Sequence, residues 1–316
     1  MIDSTKYAYS VGRVRVAENF MMDEVKLLRL VDAQDISEAQ KILIECRYKE
    51  DDDYMAMLDN EHASLYSYIR SIIPDLNIFN AFFFKYDTHN IKVLLKSEFL
   101  KKPFDEIASE VGVFKYETLK KFIQERDFSQ LPKVIADGII ESIEDFSKSN
   151  DPQLIDLIMD QAYYTYFNES INKTHDAFLK EFTVIQTDLI NLKAFMRIKK
   201  VFQKESFLNR TLISHGSISL NDFKRLYEAD EDEFKKFLKD TRYASLFDRG
   251  DVEKNCDDYM TSFLKDNRYD PIGIAPVIGF MLGKETEIKN ARIVMMGKAN
   301  RISKDKTKER LRMCYV

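Results

Sequence analysis

A short phrase occurs three times in the 316-residue chain at nearly even spacing. The copies read FFKYDTHNIKVLLK, VIQTDLINLKAFMR and GKETEIKNARIVMM, and each contains an acid, an asparagine three residues later and a base two residues after that. The acids lie 101 and then 99 residues apart. Because self-similarity at a fixed period is typical of repeat architectures, the spacing predicts three helical repeats, with boundaries at 1–108, 109–212 and 213–316.

The acid and the asparagine of each phrase are the candidate site residues. Apolar residues around the phrases recur at helical spacing, so an acid and an amide three residues apart share one helix face. These residues are Asp87 and Asn90, Asp188 and Asn191, and Glu287 and Asn290. Because buried amides need hydrogen-bond partners, the pattern favours a buried polar cluster that holds the helices of each repeat in register. The alternative is that the three clusters line a surface for a partner.

The bases of the phrases point to a different helix face. They are Lys92, Lys193 and Arg292, and a residue five positions after the acid is rotated from it by about 140°. The three bases form a candidate partner interface, although solvated helix faces commonly carry such charges. The segment from Lys284 to Arg312 is also basic, with 10 Lys or Arg against 4 Asp or Glu, and such a segment can face acidic residues of a neighbour.

The composition predicts an all-α protein. Glycine and proline are scarce, at 9 and 6 residues, while 32% of residues are charged and 45% hydrophobic. This balance is typical of a packed, helix-rich chain. The most apolar stretch, Ile272 to Gly283, has 12 residues, whereas a membrane-spanning helix needs about 20. Any membrane association is therefore expected to be peripheral.

The motifs of common catalytic and metal sites are missing from the sequence. The three cysteines form no CxxC pair, and the four histidines show no metal-ligand spacing. The stretch GFMLGKE resembles a phosphate loop, but it is one residue short between its glycines and has Glu285 where Ser or Thr must meet Mg²⁺. We therefore predict no catalytic, cofactor-binding or metal-binding residue, and we favour a binding or structural role over an enzyme with a site between the repeats.

Four segments together carry a family resemblance. YAYSVGRVRV, YDTHNIKVLLKSEFL, DLINLKAFMRIKK and GKETEIKNARIVMMGK, in this order, resemble the C subunit of the prokaryotic V/A-type rotary ATPases, whose eukaryotic counterpart is called the d subunit. The resemblance extends from about Tyr7 to Leu311. Each motif is degenerate, and the specificity comes from the order and spacing of all of them.

The resemblance implies a fold and a role. Members of this family have three similar helical domains around a pseudo-threefold axis, which form a funnel. The funnel receives the end of the coiled-coil central stalk, and its base rests on the cytoplasmic side of the membrane-embedded proteolipid ring. The implied function is a non-catalytic rotor adaptor that transmits torque for ATP-coupled H⁺ or Na⁺ transport, with no cofactor, nucleic acid or small-molecule substrate.

Other functions are open on the sequence alone. A generic all-α scaffold without a role in a rotary ATPase is the main alternative. Tetratricopeptide scaffolds, however, repeat with a period of about 34 residues, which is much shorter than the spacing of the three phrases in this chain.

Overall fold

The structure, a computed structural model, describes residues 4–200, 205–247 and 250–316. Within these ranges the regular secondary structure consists of helices, and no strand occurs. The all-α prediction is therefore confirmed. Among the described helices, none combines the length and the apolar character that a membrane span requires.

The chain divides into two compact units. The first is Asp75–Asp240, and the second joins the segment that ends at Pro74 with Thr241–Val316. The second unit therefore combines the N-terminal and C-terminal parts of the chain. The predicted boundaries of the three repeats, and their arrangement about a pseudo-threefold axis, stay predictions.

The α-helices are numbered in chain order. Those of the N-terminal segment are α1 (Ala8–Glu18), α2 (Glu24–Asp32), α3 (Ile36–Glu45) and α4 (Tyr54–Ile72). Those of the first unit are α5 (Leu76–Leu100), α6 (Tyr116–Glu125), α7 (Lys133–Ser149), α8 (Pro152–Asn172), α9 (Ala177–Lys200), α10 (Glu205–Thr211), α11 (Leu220–Glu228) and α12 (Glu231–Lys239). Those of the C-terminal segment are α13 (Val252–Asp266), α14 (Ala275–Ala299) and α15 (Lys304–Glu309).

Each phrase lies within a long helix. The three phrase helices are α5, α9 and α14, with 25, 24 and 25 residues. Their interiors contain no proline. Pro276 lies in the first turn of α14, where a missing N–H costs no intrahelical bond. Buried residues occur on more than one face of these helices, which is typical of a helix that packs against several neighbours.

Aromatic side chains form much of the core of the first unit. Phe82 of α5 packs edge-on against Phe167 of α8, with ring centroids 4.9 Å apart, and also contacts Phe182 of α9. All three rings are buried. Such pairs add about 0.5 to 1.5 kcal/mol each beyond the burial of apolar area, so this cluster joins the first phrase helix to the second.

The glycines of the phosphate-loop-like stretch have a packing role. Gly279 and Gly283 are one turn apart on α14, and the ring of Tyr315 lies against both. A Cβ atom added at either position would meet Tyr315 at 2.5 Å, which is well inside van der Waals contact. Tyr315 is 1% exposed. The pair of glycines therefore makes the groove that holds the C-terminal segment against α14.

We predict opposite effects for alanine at two helical glycines. Gly283→Ala should lower the free energy of unfolding by about 1 to 3 kcal/mol, because the new methyl group displaces Tyr315. Gly12→Ala in α1 should raise it by about 0.5 to 1 kcal/mol, because alanine favours the helix and nothing lies within 4 Å of the new atom. Chemical denaturation of both variants checks this. Equal effects would contradict the proposed groove.

Candidate functional site

Each phrase asparagine is buried and bonds to one residue of the segment that follows its helix. The side-chain amide donates to that residue's carbonyl at 2.8 or 2.9 Å, and the backbone N–H of the same residue donates back to the side-chain oxygen at 2.8 Å. The partners are Ser109 for Asn90, Ile213 for Asn191 and Arg312 for Asn290. The three asparagines therefore use the same two-bond geometry.

The first acid binds the backbone just beyond that partner. Asp87 accepts the N–H groups of Val113 at 2.6 Å and of Phe114 at 2.8 Å. Gly112 lies so close that an added Cβ would meet Asp87 Oδ1 at 2.5 Å. A side chain at this position would therefore push the segment away from the carboxylate.

The second acid has the same environment. Asp188 accepts the N–H groups of Ser217 at 3.0 Å and of Ile218 at 3.1 Å, and it also accepts the Ser217 hydroxyl. Gly216 again leaves no room for a Cβ beside the carboxylate. Asp87 and Asp188 are both fully buried, so the backbone N–H groups replace the water that a carboxylate normally binds.

The third acid has a different set of partners. Glu287 accepts the N–H of Met22 at 2.7 Å, the hydroxyl of Tyr48 at 3.0 Å and the ammonium of Lys284 at 2.7 Å. Lys284 also pairs with Glu61 at 2.9 Å. These charged side chains are largely buried, with 3%, 7% and 13% exposure for Glu287, Lys284 and Glu61. Removing one member would leave the others buried without a full set of partners.

Burial and the neighbouring charges shift the pKa values of the side chains in this cluster. Burial disfavours the ammonium form of Lys284, but the Glu287 and Glu61 carboxylates outweigh this effect and raise its pKa. Burial raises the pKa of Glu61, and Lys284 opposes that shift. Burial and the neighbouring Glu287 raise the pKa of the Tyr48 hydroxyl, which therefore donates to the carboxylate as a neutral group. The cluster thus holds Glu287 with one cation and two neutral donors.

Lys92 and Arg292 form ion pairs within their own units. Lys92 of α5 pairs with Asp160 of α8 at 2.6 Å, and Arg292 of α14 pairs with Asp59 of α4 at 2.6 Å. Lys193 lies half-buried at the corresponding position of α9. The proposed use of these bases as a partner interface stays a prediction.

Sequence reasoning missed the groups that complete the third cluster. Tyr48, Glu61 and the Met22 N–H lie more than 200 positions from Glu287 along the chain, so no local spacing marks them. Lys284 was a detectable member, because it lies three residues before Glu287 and therefore on the same helix face.

The geometry of the three clusters suits them to holding backbone segments in place. Each acid and each amide has hydrogen-bond partners within the protein. Among the described residues, no group of three His, Cys, Asp or Glu side chains is arranged to hold a metal ion. The hydrogen bonds of the three clusters connect each phrase helix to backbone elsewhere in the chain.

A family model described as "ATP synthase (C/AC39) subunit" matches residues 10–310. The chain belongs to this family. The match covers nearly the whole chain and includes all three phrases, so the resemblance to the C subunit of the V/A-type ATPases is confirmed.

Proteins with similar sequences are named as C subunits of V-type or A-type enzymes. The V-type sodium ATPase C subunit of Enterococcus hirae is 28% identical over 274 residues, which cover 84% of each chain. The A-type ATP synthase C subunit of Methanosarcina mazei is 24% identical over 340 residues, covering 98% of this chain and 93% of its own. The A-type ATP synthase C subunit of Methanocaldococcus jannaschii is 25% identical, covering 98% and 87%.

We predict that each phrase asparagine stabilises the fold. Asn→Leu at Asn90, Asn191 or Asn290 leaves the N–H and the carbonyl of the partner residue without the amide; these groups are buried at Ile213 and partly buried at Ser109 and Arg312. An unsatisfied group costs about 1 to 3 kcal/mol. The free energy of unfolding should therefore fall by about 2 to 6 kcal/mol in each variant, as measured by chemical denaturation. Asn172→Leu, at an exposed position of α8, is the matched control and should have little effect. Three variants with unchanged stability but lost assembly would favour the partner-surface interpretation instead.

Glu285 predicts a pH dependence of stability. It lies on α14, accepts a hydrogen bond from the Tyr66 hydroxyl, and has its pKa raised to about 8 by burial. An unfolded glutamate titrates near a pKa of about 4.3, so between these values the folded state keeps a proton that the unfolded state releases. This contribution to stability is present at low pH and is lost as the pH rises towards 8.

Glu285→Gln should therefore reduce the loss of stability between about pH 5 and pH 8. Unfolding curves at several pH values measure this difference. Glu50→Gln, at an exposed position, should keep the wild-type pH profile. A Glu285→Gln profile parallel to that of the wild type would contradict the assignment.

Proposed function

We propose that this protein is the non-catalytic subunit that links the central stalk of a V/A-type rotary ATPase to the membrane-embedded proteolipid ring. The observation that carries the proposal is the family match over residues 10–310. In this role the protein rests on the cytoplasmic face of the membrane and transmits torque for ATP-coupled transport of H⁺ or Na⁺.

The packing of the chain supports a mechanical role. In each phrase helix the acid accepts hydrogen bonds from backbone outside the helix, and the asparagine bonds to another such backbone residue. Closely packed protein interiors have low compressibility and transmit strain. A subunit that carries torque requires this property, because a soft connection would absorb the rotation of the stalk.

The similarity to C-subunit proteins argues against the generic scaffold. Relatives named as the C subunit of V-type or A-type enzymes align with 84% to 98% of this chain. A scaffold that shared only helical composition would not match over such a length.

We expect the purified protein to bind central-stalk subunits and, separately, membranes that contain the proteolipid ring. Exposed ionic contacts are screened over about 8 Å at physiological salt. Ring binding that relies on surface charge should therefore weaken as salt rises, whereas an apolar socket for the stalk should not. Pull-downs across a salt series measure both interactions.

Deletion of the protein should separate ATP hydrolysis from ion transport in cells that carry the complex. Hydrolysis and transport are measured together in membranes from the deletion strain and from the same strain with the gene restored. Tight coupling in the absence of the protein would refute the rotor-adaptor role.

The ion pairs provide a matched test of the predicted base interface. Lys92→Met and Arg292→Met remove the bases, while Asp160→Asn and Asp59→Asn break the same two ion pairs and leave the bases in place. If the bases contact a partner, only the base variants should weaken binding. Equal effects in both sets would show that the bases act solely within the protein.

A further inference from the structure

Each phrase acid binds the backbone immediately before a short helix. Asp87 binds the N–H of Phe114, Asp188 that of Ile218 and Glu287 that of Met22. The residue after each of these is an N-cap, namely Lys115 of α6, Ser219 of α11 and Asp23 of α2. For the first two phrases the short helix follows along the chain. For the third it is α2, near the N-terminus.

A second position of the phrase helix contacts the C-terminal end of the same short helix. Lys199 lies about three helical turns after Asp188, and Lys298 lies at the same offset from Glu287. Lys199 donates to the carbonyl of the C-cap of α11, and Lys298 donates to the carbonyl of the C-cap of α2. Both lysines also bind a carbonyl in the last turn of that helix, at 3.0 and 2.9 Å. A cation at this end of a helix complements its dipole.

In the first phrase helix the corresponding residue is an acid, and it contacts the C-cap residue of the short helix through an ion pair. Glu98 lies at the same offset from Asp87 and pairs with Arg126, which is the C-cap of α6. The residue at this offset from the phrase acid therefore contacts the C-cap residue of the short helix in all three phrase helices.

The bases supply a third, independent correspondence. Lys92 on α5 pairs with Asp160 on α8, and Arg292 on α14 pairs with Asp59 on α4. Asp160 precedes the acid of the second phrase by the same number of positions as Asp59 precedes the acid of the first phrase. The two aspartates therefore occupy equivalent positions, each on the long helix that precedes a phrase helix.

We infer that the N-terminal segment from Met22 onwards completes the third repeat, so that the repeat pattern is circularly permuted relative to the chain. In this pattern α2 is the short helix bound to the phrase helix α14. It corresponds to α6, which is bound to α5, and to α11, which is bound to α9. Glu287 therefore attaches α2 to the third phrase helix, as Asp87 attaches α6 to the first and Asp188 attaches α11 to the second. Helix α1 lies outside the pattern.

The third acid, Glu287, accepts from a backbone donor that is distant along the chain. In the first two phrases the acid reaches a segment that is already held nearby by the asparagine pair, within 30 residues along the chain. Met22 is 265 residues from Glu287, and no short chain connection brings it to the acid. The buried contacts with Tyr48 and Lys284 fix the carboxylate for this distant donor.

Hydrogen exchange measured by mass spectrometry on the full-length chain tests the assignment. Glu287→Met, Asp188→Leu and Asp87→Leu each replace one acid with an apolar side chain of similar size. We expect each variant to increase exchange by about tenfold or more in one short helix above all, namely α2, α11 and α6 respectively. Glu309→Gln, at an exposed position of α15, is the control and should leave all three helices unchanged.

A second pair of variants makes the test independent of the acids. Lys298→Met should increase exchange in the last turn of α2, and Lys199→Met should do the same in α11, while each leaves the other helix unchanged. These variants keep the buried acids and decide the matter if an acid variant fails to fold. Unchanged protection of α2 in the Lys298→Met variant, or a Glu287→Met effect confined to α14 and α15, would overturn the inference.

Discussion

The structure depends on buried side chains that bind backbone groups of segments distant along the chain. An asparagine satisfies one N–H and one carbonyl of the same residue, while an acid one turn away accepts the N–H groups that precede a short helix. A buried backbone group without a partner is costly. Each phrase helix therefore specifies where the segment bound to it must lie.

The buried carboxylates of the phrases obtain their hydrogen-bond donors in two different ways. Asp87 and Asp188 are held by backbone N–H groups, with a glycine beside each carboxylate to let the chain approach. Glu287 instead accepts from Met22, Tyr48 and Lys284. In the second arrangement a lysine and a tyrosine supplement a single backbone N–H, which comes from the N-terminal segment.

This arrangement accounts for a unit that combines an N-terminal and a C-terminal segment of the chain. The segment that ends at Pro74 and the segment Thr241–Val316 belong together, and the Glu287 cluster and Lys298 supply polar contacts that join them. In the proposed rotor role such attachments would matter, because a protein under torque is loaded repeatedly and its ends must stay in place.

The sequence by itself determined the helical class and the identity of the acid and asparagine residues, because these follow from composition, from helical periodicity and from a repeated local spacing. It also determined the family, through the resemblance of four ordered segments to known C subunits. It also indicated that the asparagines need buried partners. The tertiary structure alone decided which groups those partners are. Ser109 and Ile213 follow their asparagines by 19 and 22 positions, but Met22, Tyr48 and Glu61 reach Glu287 and Lys284 from the opposite end of the chain. Local spacing reports only which residues share a helix face, and contacts between distant segments arise from packing that no short stretch of sequence encodes.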